Sequence, residues 1–340
     1  MLEASTMRIA VQGGLAAALA LILAGCGIDS PNRPEEEVEE GFILIEGHSE
    51  WSTNSVSWKD SATGTSRFAF ISVSLEASTD GPSHFLSDAQ FRLGCDNDEC
   101  FPQATRVFVQ PRFDISNLDW SPVGPLVAFE GVEDQATWIY TLQPGPDAVP
   151  RKWVKGLEPS FFPHANLVVY VEEGRDAIRS FNPSSGGGFV ERPELQGVGH
   201  PRVSLDGRYI AYSASDSQRG QQIIVHDRIN PTFQADPVSD PDRLPTGGPG
   251  RDGINDDYPT WSPGGKYIAY RGRVRDGMFF DAIFVTNPHA MLENPVRIAS
   301  VSPGRSVTYL RWHRNGQLLL VIIDGDVYVL PVPERYQDRS

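Results

Sequence analysis

Beyond residue 41, the apolar residues of this chain come in short runs that are separated by turn residues. The runs show no sustained period of 3.6 residues, which argues against a helical repeat. Several segments instead share one pattern: a short strand ends in a large apolar residue, a turn follows, and a second β-rich strand comes next. The clearest copies are residues 200–212, 258–270 and 309–321, and weaker copies occur at 56–70, 118–129 and 159–170. The pattern predicts an all-β repeat protein.

The large apolar residue that ends the first strand of each repeat is called the anchor. The anchors follow one another at intervals of 62, 41, 42, 58 and 51 residues; they are Trp58, Trp120, Phe161, Val203, Trp261 and Trp312. A propeller blade of four short strands takes about 40–50 residues. We therefore expect a six-bladed β-propeller of four-stranded blades, in which the longer intervals carry inserted loops.

The two ends of the repeat region predict how the propeller closes. The sixth repeat reaches its third strand at residues 327–330, whereas residues 42–45 form an apolar run that belongs to no repeat. Placed as the outer strand of the sixth blade, this N-terminal strand completes the blade and removes a free edge. The propeller domain is predicted to span residues 42–335.

The N-terminal segment carries an export signal. Residues 15–24 are consecutive apolar residues, about 15 Å long as a helix and too short to span a bilayer. Leu-Ala-Gly-Cys follows at residues 23–26 and resembles the bacterial lipobox. The resemblance implies a signal peptide at residues 1–25 and lipidation of Cys26, and the alternative is a secretory signal with a chance cysteine. Gly27 follows the cysteine in place of an aspartate. By resemblance to diderm lipoproteins, this favours sorting to the outer membrane, with the domain on either its periplasmic or its surface face.

The charge of the chain excludes some partners. The formal net charge of −15 argues against nucleic acid and against direct adhesion to anionic lipid. Residues 26–41 are rich in proline and glutamate and predict a flexible, self-repelling tether between the lipid and the propeller. We therefore expect contact with the membrane through the lipid anchor.

Two further cysteines lie close together, Cys95 and Cys100. Outside the cytoplasm an even pair predicts a disulfide, and the alternative is two free thiols. A zinc site would need additional cysteine or histidine ligands nearby, and the flanking sequence has none.

The clearest repeat carries a family resemblance. Residues 259–270, Pro-Thr-Trp-Ser-Pro-Gly-Gly-Lys-Tyr-Ile-Ala-Tyr, resemble the repeat of TolB-like propellers, and residues 205–207 keep the Asp-Gly turn of that repeat. The resemblance implies the propeller fold but not one function, because this repeat recurs in envelope scaffolds, surface proteins, peptidase accessory domains and some lyases. TolB itself differs in having a separate N-terminal α/β domain.

Candidate site residues fall at the start of the first strands. Strand alternation places the long segments 75–105 and 246–257 on one rim, and long loops on a rigid scaffold commonly bind partners. The same rim is expected to present channel-mouth ligand candidates, namely Glu158, His200, Tyr258 and Tyr309. Glu158 beside His200 is either an acid–base pair or two ordinary polar loop residues. Clustered carboxylates predict either a Ca²⁺ site or a solvated acidic turn, at Asp252, Asp256 and Asp257.

Three functions are compatible with these features. The leading hypothesis is a non-catalytic binding or scaffold propeller for a protein or glycan partner at the loop-rich rim, with no resident cofactor. The second is an enzyme, such as a polysaccharide lyase or hydrolase, that works in the central channel. The third is an accessory subunit of an envelope complex. The chain has no Gly-x-Ser-x-Gly motif, so a serine hydrolase is not expected, and no catalytic residue is assigned.

Overall fold

A computed structural model of the chain confirms an all-β protein. Apart from one 3₁₀ turn at Glu334–Tyr336, all regular structure in the described ranges is β-strand, and these ranges contain no helix that is long and apolar enough to cross a membrane. Side chains are described from residue 115 onward, except at 216, 220, 236–237 and 275–276. The structure describes residues 43–46, 51–59, 66–74, 84–91, 105–110, 115–144, 148–192, 196–216, 220–229, 236–237, 256–276, 278–290 and 295–338.

The strands form antiparallel groups of consecutive elements. The first group comprises β2 (Trp51–Lys59), β3 (Ser66–Ser74), β4 (His84–Phe91) and β5 (Thr105–Gln110). A seven-stranded sheet follows, with β6 (Ile115–Trp120), β7 (Val127–Glu133), β8 (Ala136–Leu142), β9 (Arg151–Phe161), β10 (Val168–Glu172), β11 (Ile178–Phe181) and β12 (Gly188–Arg192).

Two four-stranded sheets come next. One contains β13 (Gly199–Val203), β14 (Tyr209–Asp216), β15 (Gly220–Asp227) and β16 (Asp236–Pro237). The other contains β17 (Asp257–Trp261), β18 (Ile268–Asp276), β19 (Met278–Thr286) and β20 (Val296–Ser300). The last sheet combines β21 (Val307–Trp312), β22 (Leu318–Ile323) and β23 (Asp326–Pro331) with β1 (Ile43–Glu46).

The seven-stranded sheet contains two successive repeats joined by a shared strand. The first part of β9 pairs with β8, with Lys155 opposite Trp138. Its second part pairs with β10, with Phe161 opposite Val168. The outer strand of one repeat therefore continues without a break into the first strand of the next.

The first strands of the repeats lie together in the interior. We call β2, β6, β9, β13, β17 and β21 the inner strands. Each contacts the next in this order, and β21 also contacts β2. The space they surround is called the channel.

Five of the six anchors end their inner strands as the sequence predicts, and the sixth, Trp58, lies one residue before the end of β2. Trp120, Phe161, Val203, Trp261 and Trp312 each end an inner strand, and all five are more than nine-tenths buried. The apolar clusters lie between consecutive sheets: one of them joins Ala211 and Ile223 of one sheet to Trp261, Tyr270 and Phe284 of the next. A single repeat cannot bury its apolar faces alone, so neighbouring repeats stabilise one another.

The turn after each anchor uses repeated serines and glycines. The hydroxyls of Ser204 and Ser262 accept backbone N–H groups five residues further on, at distances of 2.9 Å. Gly207, Gly265 and Gly316 have φ values of 72–74° at equivalent turn positions, a conformation that favours glycine. These serines therefore form turns.

One expected loop is divided by a strand. Residues 75–105 were expected to form one connection on the loop-rich rim, but β4 (His84–Phe91) lies within them. The expected single connection is therefore two, one between β3 and β4 and one between β4 and β5, and Cys95 and Cys100 lie outside the described residues. The residues of β4 lack the repeated apolar run of the other strands, so the pattern did not reveal it.

Candidate functional site

The inner strands share a backbone irregularity three residues before the anchor. Asn117, Glu158, His200 and Tyr258 have φ values of 46°, 55°, 51° and 52°, which is uncommon for residues other than glycine. Each lies at a register shift between its strand and the next strand of the sheet. In β21 the shift comes one residue earlier, before Tyr309. A bulge re-aims a side chain, and here it does so at the start of successive inner strands. We call this end of the channel the mouth.

The structure brings together all four predicted mouth residues. The Nδ1 atom of His200 lies 3.5 Å from Oε2 of Glu158, and its ring centroid is 4.2 Å from that of Tyr258. The Tyr258 ring is in turn 6.4 Å from the ring of Tyr309. Asp257 also joins them, since its Oδ1 lies 3.3 Å from Nε2 of His200. The imidazole is therefore held between two carboxylates.

Carboxylates at the mouth also connect successive inner strands. Glu158 accepts the backbone N–H of His200 in the next inner strand, and a side-chain hydrogen bond of 2.9 Å from Arg175. The N–H of Glu158 is donated to Glu130 of β7. Glu130 also accepts a 2.9 Å hydrogen bond from the side chain of Asn117. These buried acidic groups thus fasten one repeat to the next.

Arg271 extends the network to the last repeat. Its guanidinium lies 3.7 Å from Asp257 and 3.9 Å from Asp281, and 5.1 Å above the ring of Tyr258. Asp281 in turn accepts the backbone N–H of Val307 at 2.8 Å. The sequence pattern did not identify Arg175, Glu130 or Arg271, because they lie outside the aligned first strands.

The electrostatics follow from this pairing. Burial disfavours the charged imidazole, but the negative charges of Glu158 and Asp257 outweigh it and raise the pKa of His200 above its ordinary value. Burial opposes ionisation of Asp257 as well, yet His200 and Arg271 lower its pKa to about 2. The two carboxylates, each facing one ring nitrogen of His200, therefore stabilise its protonated form relative to its neutral form.

A second layer of polar contacts crosses the channel. Arg202 of β13 donates from Nη2 to the hydroxyl of Tyr309 in β21, at 3.3 Å. The same hydroxyl donates to the carbonyl of Leu118 in β6, also at 3.3 Å. Three inner strands that are not sequential neighbours are thereby linked below the mouth.

A cavity of about 170 Å³ lies at the other end of the channel. We call it the anchor-end cavity, because Trp120, Phe161, Trp261 and Trp312 form much of its wall. It lies opposite the end that the sequence predicted as the working face. The sequence pattern did not identify the arginines of this cavity. Their position could have indicated them, because Arg202 and Arg311 directly precede anchors.

Other predicted site residues give less information. Cys26, Cys95, Cys100 and Asp252 lie outside the described residues. Asp256 is buried, and in the described part of the chain no three histidine, cysteine or acidic side chains are grouped to hold a metal ion. The Ca²⁺ site and the disulfide remain predictions.

Comparisons with known proteins identify the fold. No protein-family model matches the chain, and no curated protein matches it. A putative TolB from Agrobacterium tumefaciens is similar in structure at 18% identity and a TM-score of 0.56, covering 86% of this chain and 94% of that protein. TolB from Acinetobacter baumannii is similar at 17% identity and a TM-score of 0.51, covering 73% of this chain and 60% of that protein.

A third propeller structure is also similar. The Cps50 (Swd1) β-propeller domain from Myceliophteria thermophila matches at 13% identity and a TM-score of 0.50, covering 85% of this chain and 86% of that domain. All three likenesses concern the fold, since their identities are low. The chain therefore has a TolB-like β-propeller fold, as the repeat at residues 259–270 predicts.

Proposed function

We propose that this chain is a lipid-anchored envelope protein whose six-bladed propeller binds a protein partner at the mouth end and does not catalyse a reaction. The observation that carries the proposal is the mutual pairing of the charged groups at the mouth. A general acid must donate a proton to the substrate, and a general base must accept one from it, so the catalytic nitrogen must face the substrate. Both ring nitrogens of His200 instead face carboxylates, those of Glu158 and Asp257. The cluster is thus suited to fixing the inner strands beneath a binding surface.

The proposed ring has six blades, the last of which combines both ends of the propeller. Support comes from the antiparallel pairing of β1 with β23, in which Ile43 lies opposite Val329. The cyclic order of contacts between the inner strands also supports it. In this arrangement the N-terminal strand removes the exposed edge of β23.

The channel offers little room for the alternative function, a polysaccharide enzyme. Arg202, Tyr309 and Leu118 are linked across it. The anchor-end cavity of about 170 Å³ is smaller than the roughly 300–1,000 Å³ of typical ligand pockets. A sugar chain is therefore a poor fit to this channel.

The mouth end also presents apolar contact points. Val132 lies near the tip of the β7–β8 hairpin, and Met278 and Phe279 lie near the tip of the β18–β19 hairpin. Their exposed fractions are 43%, 64% and 44%. Exposed apolar side chains on a polar rim are typical contact points for a protein partner. The predicted loop 246–257 leads into β17 at this same end.

Anchoring through Cys26 would keep the propeller near the membrane. The proposed tether, residues 26–41, reaches about 50 Å when fully extended, and β1 begins at Ile43. We propose the outer membrane as the location, on the basis of Gly27. Replacing Cys26 with serine is expected to abolish metabolic labelling with a radioactive or clickable fatty acid, and undiminished labelling would overturn the anchor.

Site-specific photo-crosslinking in intact envelopes tests the binding face. A photoreactive amino acid is placed in the full chain at Phe279 or Val132 of the mouth end, or at Val123, which is 49% exposed in the turn after Trp120 at the other end. The proposal expects both mouth positions to capture the same protein, identified by mass spectrometry, and Val123 to capture none of it. Capture from Val123 alone, or no common protein at the mouth, contradicts the proposal.

A further inference from the structure

The anchor-end cavity concentrates positive charge in an acidic protein. The charged side chains among its lining residues are all arginines, namely Arg202, Arg311 and Arg314, although the formal net charge of the chain is −15. Arg202 comes from β13 and Arg311 from β21, so the charges approach from separate repeats. This distribution is suited to a negatively charged ligand.

Arg202 has no acidic partner within the described part of the chain. It is 7% exposed, and its Nη1 and Nη2 atoms donate to neutral oxygens, the carbonyl of Pro201 at 3.1 Å and the hydroxyl of Tyr309 at 3.3 Å. Its Nε atom is buried without an acceptor. A buried guanidinium without a counter-charge is costly, and an anion in the cavity would supply that charge.

Arg311 is held in a fixed position on the same wall. Its Nη2 atom lies 2.9 Å from Oδ1 of Asp119. Asp119 is fully buried and its other oxygen accepts hydrogen bonds from Ser160 at 3.0 Å and from the backbone of Phe161 at 2.7 Å. Asp119 thus offsets the charge of Arg311, and the lining keeps the positive charge of Arg202, whose hydrogen-bond partners are neutral oxygens.

The remaining wall is aromatic. Trp120, Phe161, Trp261 and Trp312 line the cavity, and the buried Nε1 atom of Trp312 has no acceptor in the structure. A phosphate ion has oxygens on every side and would place some of them against these rings. A carboxylate carried on an apolar body has one charged end and one carbon end, which matches the lining.

We propose that the anchor-end cavity binds a small organic carboxylate, with its oxygens at Arg202 and Arg311 and its carbon skeleton against the aromatic anchors. Guanidinium groups match the planar geometry of a carboxylate. The cavity volume of about 170 Å³ suits one compact group. The site lies at the opposite end of the channel from the proposed partner surface, so it does not depend on that surface.

Titration of the full chain in detergent with benzoate tests this site. Binding is followed by calorimetry and by tryptophan fluorescence, because three tryptophans line the cavity. We expect saturable binding of benzoate, at least tenfold weaker binding of inorganic phosphate, and no saturable binding of benzamide, which has the same shape without the charge. Equal binding of benzamide, equal or tighter binding of phosphate, or no saturation by benzoate overturns the proposal.

Matched arginine variants locate the binding. Arg202→Gln is expected to weaken benzoate binding at least tenfold, whereas Arg151→Gln, at an exposed arginine on the outer part of β9, is expected to change it less than twofold. Unchanged affinity in Arg202→Gln overturns the proposal. If that variant fails to fold, Arg314→Gln at the exposed edge of the cavity decides, with a loss of at least threefold expected and an unchanged affinity contradicting the site.

Discussion

Asp119 is the carboxylate whose loss should most disturb the packing of the repeats. It lies in β6 and is fully buried, and it contacts two other inner strands. It accepts hydrogen bonds from Ser160 and the backbone of Phe161 in β9 and pairs with Arg311 in β21. Asp119→Ala removes these contacts together and leaves a buried N–H and a guanidinium without an acceptor.

The size of the effect follows from these contacts. A buried donor left without its partner costs about 1–3 kcal/mol. Breaking a buried ion pair costs about 3–5 kcal/mol, but the side chain of Arg311 is 21% exposed, so solvent reduces its share. We expect Asp119→Ala to lower the free energy of unfolding by about 3–4 kcal/mol. Asp119→Asn keeps the shape and one acceptor, and should cost about half as much.

Thermal unfolding of the full chain, followed by circular dichroism, measures this series. At roughly 2–4 °C per kcal/mol for a large domain, Asp119→Ala should lower Tm by about 6–16 °C. Ser160→Ala is the matched control, because it removes only one hydroxyl and should lower Tm by roughly 2–4 °C. A shift for Asp119→Ala no larger than that of Ser160→Ala would refute the reasoning.

Three further predictions concern other parts of the propeller. Deleting residues 42–47 should lower Tm by several degrees if β1 completes the last blade, and an unchanged Tm argues against this closure. Gly316→Ala should lower Tm more than Gly207→Ala, because a Cβ at Gly316 would lie 2.0 Å from the backbone oxygen of Asp338, whereas the space beside Gly207 is open within 4 Å. Equal shifts in Tm would contradict this packing. Because the pKa of His200 is raised in the folded state, His200 stabilises the fold fully at pH values below the ordinary histidine pKa, and this stabilisation is lost as the pH rises through the folded-state pKa. Urea unfolding at several pH values should show this loss in the wild type but not in His200→Gln.

The repeat pattern predicted much of the fold because it is local. The anchors, the turn glycines and the third strands recur at short spacings, so the sequence reveals them directly. Alignment three residues before each anchor also identified Glu158, His200 and Tyr258, which share the unusual backbone conformation. The alignment succeeded there because one bulge is repeated in successive inner strands.

The contacts between repeats were not predictable in the same way. Asp119 and Arg311 are 192 residues apart in the chain, yet their side chains meet across the channel at 2.9 Å. Asp257 was grouped with its sequence neighbours as a Ca²⁺ ligand, and its contact with His200 comes from an adjacent sheet. Such pairs depend on how the sheets are arranged around the channel, which local patterns do not encode.

The central claim is that the mouth is a fixed, charge-paired support for a binding surface. The most direct measurement is the protonation state of His200, followed by ¹⁵N NMR of the side-chain nitrogens across pH. The account predicts a pKa of His200 above the ordinary histidine value, and a lower pKa of His200 in Glu158→Gln. A pKa at or below the ordinary histidine value, or one that Glu158→Gln leaves unchanged, would contradict the account, because the two carboxylates would then not stabilise the proton on His200.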